Sequence, residues 1–416
     1  PEGSDVYDEG LLVPPCKLVD RGELNALLMD IVRANSREPV ANEGDIYALI
    51  ACCEAGVNRL EQLLDEFQLG SLDRLADHII DTSYEGTLDA IAEVPNGCYK
   101  HRLTVDGYEQ PIHLAVTLNV TDTRMALDFT GTDGYSRKGI NVPLNYATAY
   151  AVFALRCIVG PDIPNNAGSL APFTCDAPPD CILNAQRPAP VAMRHTLGQM
   201  MPDLVYGALH QALPQQVPAE GASCMYDLPL RSAPEVAHRG GQAFAVELVH
   251  NGGTGARPTL DGLSATAFPS GVFGSQVEIT ESVAPVTVWQ RELRCDSGGA
   301  GQHRGGLGQR IQLSPASDDA VIAYLSVERI AHPAAGRAGG LAGAAGRIRL
   351  AGSDEDFPGK GELRIDPGDT LVFDTPGGGG YGPPTARDRN QLEADMREGL
   401  ITADAARALY GLETAP

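Results

Sequence analysis

Residues 251–262, NGGTGARPTLDG, gather the groups in this chain best suited to holding an anion. Successive backbone N–H groups in a glycine-rich turn form a concavity for carboxylate or phosphate oxygens. Arg257 adds a guanidinium able to grip such a group through two parallel hydrogen bonds. Asp261 stands opposite as a candidate catalytic group, while Asn251, Ser264 and Thr266 keep the segment polar. The competing reading is a tight loop in which Arg257 and Asp261 pair only with each other. A second candidate is PVAMRHT, residues 190–196, which places Arg194 and His195 where a helix is expected to begin. Helix N-termini favour anions, so Arg194 is a candidate substrate contact and His195 a candidate catalytic group.

Other glycine runs carry less chemistry. DSGGAGQHRGG (296–306) includes His303 and Arg304 but lies between two strand-like segments, which favours a structural loop. TPGGGGYG (375–382) has neither a following lysine nor a following helix, so packing is expected there rather than phosphate binding. Glu278 and Glu281 read as part of a strand and so would face opposite sides of it. Phosphate-loop, HExxH, Cys-x-x-Cys and GxSxG patterns are absent. The nine histidines offer no two ligands at metal spacing on one helix face, so no metal site is assembled from this chain.

These residues need a frame. Between residues 22 and 92, apolar positions recur at helical spacing in four stretches: Leu24–Val32, Ile46–Val57, Leu60–Phe67 and Leu72–Ile80. The period then changes to two over CYKHRLTVDG, PIHLAVTLNVT and RMALDFTGT, which predicts three antiparallel strands with a turn at Asp106-Gly107. Residues 145–160 return to helix and stop at Gly160-Pro161. HTLGQMMPDLVYGALHQAL is helical with a kink or boundary at Pro202. Strands and glycine loops dominate from about 220 to 385, including two short strands around Asp366–Asp369. The tail is a helical hairpin with Gly399, Thr402 and Gly411 as its stop, cap and stop. The expected fold class is α+β. Its divisions are a helical region at 1–95, a mixed α+β core at 96–320, a β-rich region at 321–385 and the hairpin at 386–416.

The 416 residues carry 54 Asp and Glu against 31 Lys and Arg, a net charge of −23. That excess disfavours nucleic acid, whose phosphates demand a basic face, and anionic membranes. No apolar run approaches the roughly 20 residues that span a bilayer. Nine dispersed cysteines without a pairing framework fit reduced, buried thiols and a cytoplasmic setting. Pro1 in place of an initiator methionine suggests a processed chain or a further upstream segment.

Taken together, the chain resembles the hydantoinase B/oxoprolinase family along its whole length. The matching segments are DVYDEGLLVPPCKLV, GINVPLNYATAYAVFALRCIVGPDIPNNAG, PVAMRHTLGQMMPDLVYGALHQALP, NGGTGARPTLDGLSATAFPSGV, ELRCDSGGAGQHRGGLGQ, TPGGGGYGPP and DMREGLITADAARALYG. The resemblance implies a B-type subunit in a hetero-oligomer, working with an A-type hydantoinase subunit that carries ATP and magnesium. The implied activity is ATP-dependent opening of a small cyclic amide, a hydantoin or lactam. The alternatives are a subunit of an acetone- or acetophenone-type ketone carboxylase, or a non-catalytic structural subunit. It also implies a divalent metal ion, zinc or manganese. The family's ligands for it lie in an upstream His- and Asp-containing block (RGHHxDxGG-like) that this sequence does not include, so they are expected mostly outside this chain. Met193-Arg194-His195 stands where the oxoprolinases carry a GGNVET-like segment, and FPSGV is closer to the N-methylhydantoinase and carboxylase branch.

Overall fold

The computed structural model describes residues 3–36, 38–238 and 243–412; Pro1 lies outside them. The chain opens with a short hairpin, β1 (Val19–Asp20) and β2 (Glu23–Leu24), and three helices, α1 (Ala26–Asn35), α2 (Pro39–Glu66) and α3 (Asp73–Ala92). The second and third of the four expected helical stretches are one helix. Nothing between Val57 and Leu60 breaks the turn, so α2 runs unbroken for 28 residues. Next come β3 (Gly97–Val105), β4 (Ile112–Thr121), β5 (Arg124–Asp128), α4 (Leu144–Ile158), α5 (Ala167–Leu170), β6 (Phe173–Asp176), α6 (His195–Gly198) and α7 (Met201–Leu209). Strands β3, β4 and β5 pair antiparallel as the alternation predicts, and β6 adds a parallel partner to β5. Pro202 marks a boundary: it sits in the first turn of α7, where its missing N–H costs nothing. Helix α4 turns Ala147, Ala151, Ala154 and Leu155 onto the sheet, and α7 is buried on every side.

The rest of the chain contains β7 (Tyr226–Ser232), α8 (Pro234–His238), β8 (Ala245–His250), α9 (Val277–Val283), β9 (Val286–Leu293), β10 (Gln309–Pro315), β11 (Val321–Ser326), β12 (Arg347–Leu350), β13 (Lys360–Ile365) and β14 (Leu371–Asp374). They form two four-stranded sheets, ordered β13-β11-β7-β8 and β12-β14-β10-β9. Leu228, Leu230, Ala323 and Leu325 from the first sheet share one core with Ile311, Leu313, Ile348 and Phe373 from the second. Each of the two sheets therefore joins strands from both sides of residue 320. The turn Asp366–Asp369 connects β13 to β14 across the two sheets, so it is a crossing and not a hairpin tip. Glu278 and Glu281 lie on α9, a helix rather than the expected strand. The tail forms α10 (Arg389–Arg397) and α11 (Ala403–Tyr410), with Thr402 capping the Ala405 N–H and Gly411 left-handed at φ 68°. Most cysteines depart from the buried expectation: Cys16, Cys52, Cys53, Cys98, Cys157 and Cys295 are exposed, and only Cys181 and Cys224 are buried.

Joining the two halves is a bundle of glycine-rich backbone. Residues 376–380 run through its centre, against residues 252–256, 297–308 and 334–344. Gly253 N–H donates to the Pro376 carbonyl at 2.9 Å, Gly299 to Gly378 at 2.8 Å, Gly378 to Gly306 at 3.0 Å, Gly377 to Ala344 at 3.0 Å and Gly380 to Leu341 at 2.9 Å. The need for glycine is spatial. A Cβ on Gly253 would lie 1.8 Å from the Gly306 carbonyl oxygen, one on Gly305 1.9 Å from that of Gly378, and one on Gly377 1.8 Å from that of Ser297. Backbone, unlike a side chain, has no rotamer through which to yield.

Two outcomes follow from this packing. Gly305→Ala is expected to cost more than about 3 kcal/mol or to prevent folding. Gly56→Ala, with open space around it in the middle of α2, is expected to stabilise by about 0.5–1 kcal/mol; equal melting temperatures for the two variants would refute the contact argument. The second outcome concerns His250, whose ring packs 5.9 Å from that of Phe373 and whose nitrogens have no partner among the described residues. Burial, with Arg291 adding to it, pushes its imidazole down to about 3. The unfolded chain takes up a proton near pH 6.5 that the folded state refuses, so stability is full above that pH and is lost below it. The loss should reach about 2 kcal/mol by pH 5. Urea midpoints measured from pH 7 to 5 should show a correspondingly shallower fall for His250→Leu, and parallel curves would contradict this assignment.

Candidate functional site

The loop after β8 carries Asn251, Arg257 and Asp261, and several of its amides are already engaged. Gly253, Thr254, Ala256 and Arg257 N–H donate to the carbonyls of Pro376, Leu263, Gly379 and Leu260. Four of the segment's amides are thereby committed, two to the glycine bundle and two to carbonyls of the same loop. Asn251 is buried, and its carbonyl accepts from Gln309 Nε2 at 2.9 Å and Thr375 Oγ1 at 3.1 Å. Its role there is to seat the loop on β10 and the segment after β14.

Asp261 and Arg257 do not pair through their charged groups. Arg257 Nη2 donates to the Asp261 backbone carbonyl at 2.8 Å. The Asp261 carboxylate instead takes a two-pronged contact from Arg387, at 2.8 and 2.7 Å, and the Arg304 N–H at 2.7 Å. Arg387, nearly fully buried, also holds Asp395 at 2.6 Å. One carboxylate thus ties the loop, the 296–308 segment and the C-terminal tail together. Burial pushes the Asp261 carboxyl up, but hydrogen bonding and charge from Arg387, with Arg304, bring it net below the usual range. With both oxygens occupied and its charge so stabilised, Asp261 is poorly placed to accept a proton from a substrate, and it acts as a clamp.

With Asp261 holding the loop, Arg257 lines a cavity of about 290 Å³ together with Thr254, Gly221, Tyr206, Asp203 and Phe268. Phe268 stacks on Tyr206, with ring centroids 6.4 Å apart and planes 13° apart. The volume is close to the lower end of small-molecule sites, and an apolar wall beside a few fixed polar groups is their usual composition. Beneath lies a buried ionic cluster. Arg329 donates to Asp203 at 2.6 Å and to Glu220 at 3.0 Å, and Ser223 Oγ donates to Asp203 at 2.6 Å. Burial pushes the Asp203 carboxyl up against the pull of Arg329. Asp203 is the buried acid that the sequence reading missed. Its signal was available in MMPDLVYGAL, where one acid interrupts an otherwise apolar helix, as Glu328-Arg329 interrupts the strand-like VIAYLSVERI.

Arg194 and His195 stand at the start of α6 as expected, yet they diverge. The exposed Arg194 guanidinium lies over the Tyr146 ring at 5.5 Å. His195 Nε2 lies 3.1 Å from Asp227 Oδ2, without hydrogen-bond geometry, and Asp227 Oδ1 has no partner among the described residues. His195 opens onto a separate cavity of about 790 Å³ shared with Glu9, Arg231, Glu247 and Tyr324. The FPSG turn lies between the two places. Phe268 walls the Arg257 cavity, while Ser270 accepts from Gln199 Nε2 at 2.8 Å and meets Tyr150 Oη at 3.2 Å. Among the described residues no group of three or more His, Cys, Asp or Glu side chains could hold a metal ion. The described residues do not by themselves assemble a divalent metal centre. Nor is any described helix long and apolar enough to cross a membrane.

Comparison with known proteins agrees with this architecture. The hydantoinase B/oxoprolinase family model matches residues 1–384. An uncharacterised protein of Methanocaldococcus jannaschii, MJ0963, is 30% identical over 98% of this chain and 71% of its own length. A putative D-/L-hydantoinase B-type subunit of Pseudomonas sp. NS671 is 28% identical over 98% of this chain and 71% of its own. The crystal structure of the ATP-dependent caprolactamase from Pseudomonas jessenii superposes with a TM-score of 0.85 at 25% identity, covering 99% of this chain and 73% of that one. The glycine bundle, the α+β frame and these likenesses agree, and the chain belongs to the hydantoinase B/oxoprolinase family.

Proposed function

We propose that this chain is the B-type subunit of an ATP-dependent cyclic amidase that opens a hydantoin or lactam ring. The ring amide resists attack because resonance strengthens its C–N bond. An A-type partner, carrying ATP and magnesium, transfers the γ-phosphoryl group to the carbonyl oxygen and releases ADP. One water adds at that carbon, the ring C–N bond breaks as the nitrogen takes up a proton, and a second water releases phosphate to leave the ring-opened carboxylate. The supporting observation is the cavity of about 290 Å³ at Arg257, in a chain of this family. Tyr206 and Phe268 offer flat apolar contact to a ring, and Arg257 and Thr254 offer polar contact to its oxygens or phosphate. Asp261 positions the Arg257 loop through Arg387. His195 with Asp227 forms a second contact region outside that cavity, and Arg194 offers a separate contact beside the Tyr146 ring. Zinc or manganese, with ligands expected mostly outside this chain, enters this reading without any step here being routed through it.

The test is ATP-dependent turnover by the chain reconstituted with its A-type subunit, read as ring-opened product and ADP. Arg257→Ala should lower kcat/KM about 10- to 100-fold, the loss of one hydrogen bond to a charged group, while leaving assembly intact. Asp261→Ala should lower the melting temperature as well, because it leaves the buried Arg387 with one partner fewer. Unchanged turnover by a folded Arg257→Ala complex would remove the cavity from the reaction. Product formation requiring bicarbonate would move the assignment to ketone carboxylation, and equal turnover by the A-type subunit alone would make this chain structural.

A further inference from the structure

Helix α2 is built for a contact that the described residues do not make. It is about 42 Å long at 1.5 Å per residue, and among the described residues none of its side chains is buried. Ile46, Ile50, Cys53, Val57, Leu60, Leu64 and Phe67 recur at steps of four and three, the seam by which one helix packs along another. Leu49 and Leu63 widen that seam on one side. Helix α1 covers only part of it, leaving Leu49 65%, Val57 55% and Phe67 63% exposed. Gly44 and Gly56 have open space beside them, so a second helix meets no obstruction there. The next helix repeats the condition: α3 is anchored at its C-terminal half, where Ser83 accepts from Asn166 at 2.8 Å, while Leu75 and Ile79 nearer its start are exposed. Continuous exposed apolar surface of this kind marks an interaction site.

The charge decides what covers it. Along α2 and α3 stand Glu43, Asp45, Glu54, Glu61, Asp65 and Glu66, then Asp73, Asp77, Asp81, Glu85 and Asp89, against only Arg59 and Arg74. A second copy would bring the same acidic rim against this one, and like charges across an interface are unfavourable. From this geometry we infer that α2 and the start of α3 dock a different chain, one presenting an apolar helical ridge edged by Lys and Arg. Resting on the reading above, that chain is the A-type subunit.

The experiment measures the affinity of this full chain for its A-type subunit and the oligomeric state of each alone. The first variant is L49Q/V57Q/L60Q, which keeps helix-forming residues at exposed positions. The second is E54K/E61K, which reverses the rim. The first should weaken the complex at least 100-fold and the second at least 10-fold, with helicity and Tm of the free chain unchanged. Wild-type affinity should also fall as salt rises. Complexes as tight as wild type with unchanged Tm would show that the arm is not the interface. Unchanged affinity with a lowered Tm would assign the face to packing within its own chain. Loss of a homodimer formed without the partner would assign it to a second copy. Each of these three overturns the inference while leaving the proposed function standing. Failure of the wild-type chain to bind the A-type subunit would sink both.

Discussion

Backbone packed directly on backbone, around residues 376–380, is the constraint on which the rest of the structure depends. These glycines accept neighbours at distances a Cβ would forbid, and their amides and carbonyls are paired with three other segments. The bundle holds the two-sheet half of the molecule together and fixes where the Arg257 loop must lie. It also commits the Gly253 and Ala256 amides of that loop to Pro376 and Gly379. The same N–H groups cannot both staple the bundle and face a ligand.

Given that scaffold, side-chain chemistry is left with a small number of roles. Asp261 serves Arg387 and Arg304, which are nearly free of solvent, so the interaction is strong and its loss leaves charges unpaired in a poor solvent. Arg257 is freed from Asp261 by this arrangement and faces a cavity whose other walls come from α7 and the FPSG turn. The Asp203–Arg329–Glu220 cluster lies under that cavity and joins α7 to the segment after β11. A low-dielectric floor of this kind fixes the orientation of groups above it while remaining closed to bulk water.

At the opposite end the physics reverses. The body buries its apolar residues thoroughly, as with Leu114, Leu118, Ile311 and Phe373 at essentially no exposure, whereas α2 leaves a heptad seam in water. Within one chain, the same residue types serve as core in one place and as unfilled surface in another.

Local pattern determined much of this from sequence alone. Alternation placed β3, β4 and β5, helical spacing placed α4, α7 and the tail hairpin, and Pro202, Gly399 and Gly411 marked boundaries through their own backbone chemistry. The packing role of TPGGGG was legible because nothing beside it could hold a phosphate. Partnership between distant residues was not legible. No local signal announces that Asp261 meets Arg387 rather than Arg257, that β13 and β14 enter different sheets, or that Arg194 and His195 point apart. Periodicity also shows which residues are apolar without showing whether anything covers them, which is why α2 reads as core and stands exposed. Local sequence sets what each segment is able to do. Which donors are consumed, which charges are paired and which faces remain open depends in large part on residues far apart in the sequence, such as Asp261 and Arg387, and only the tertiary structure brings those together.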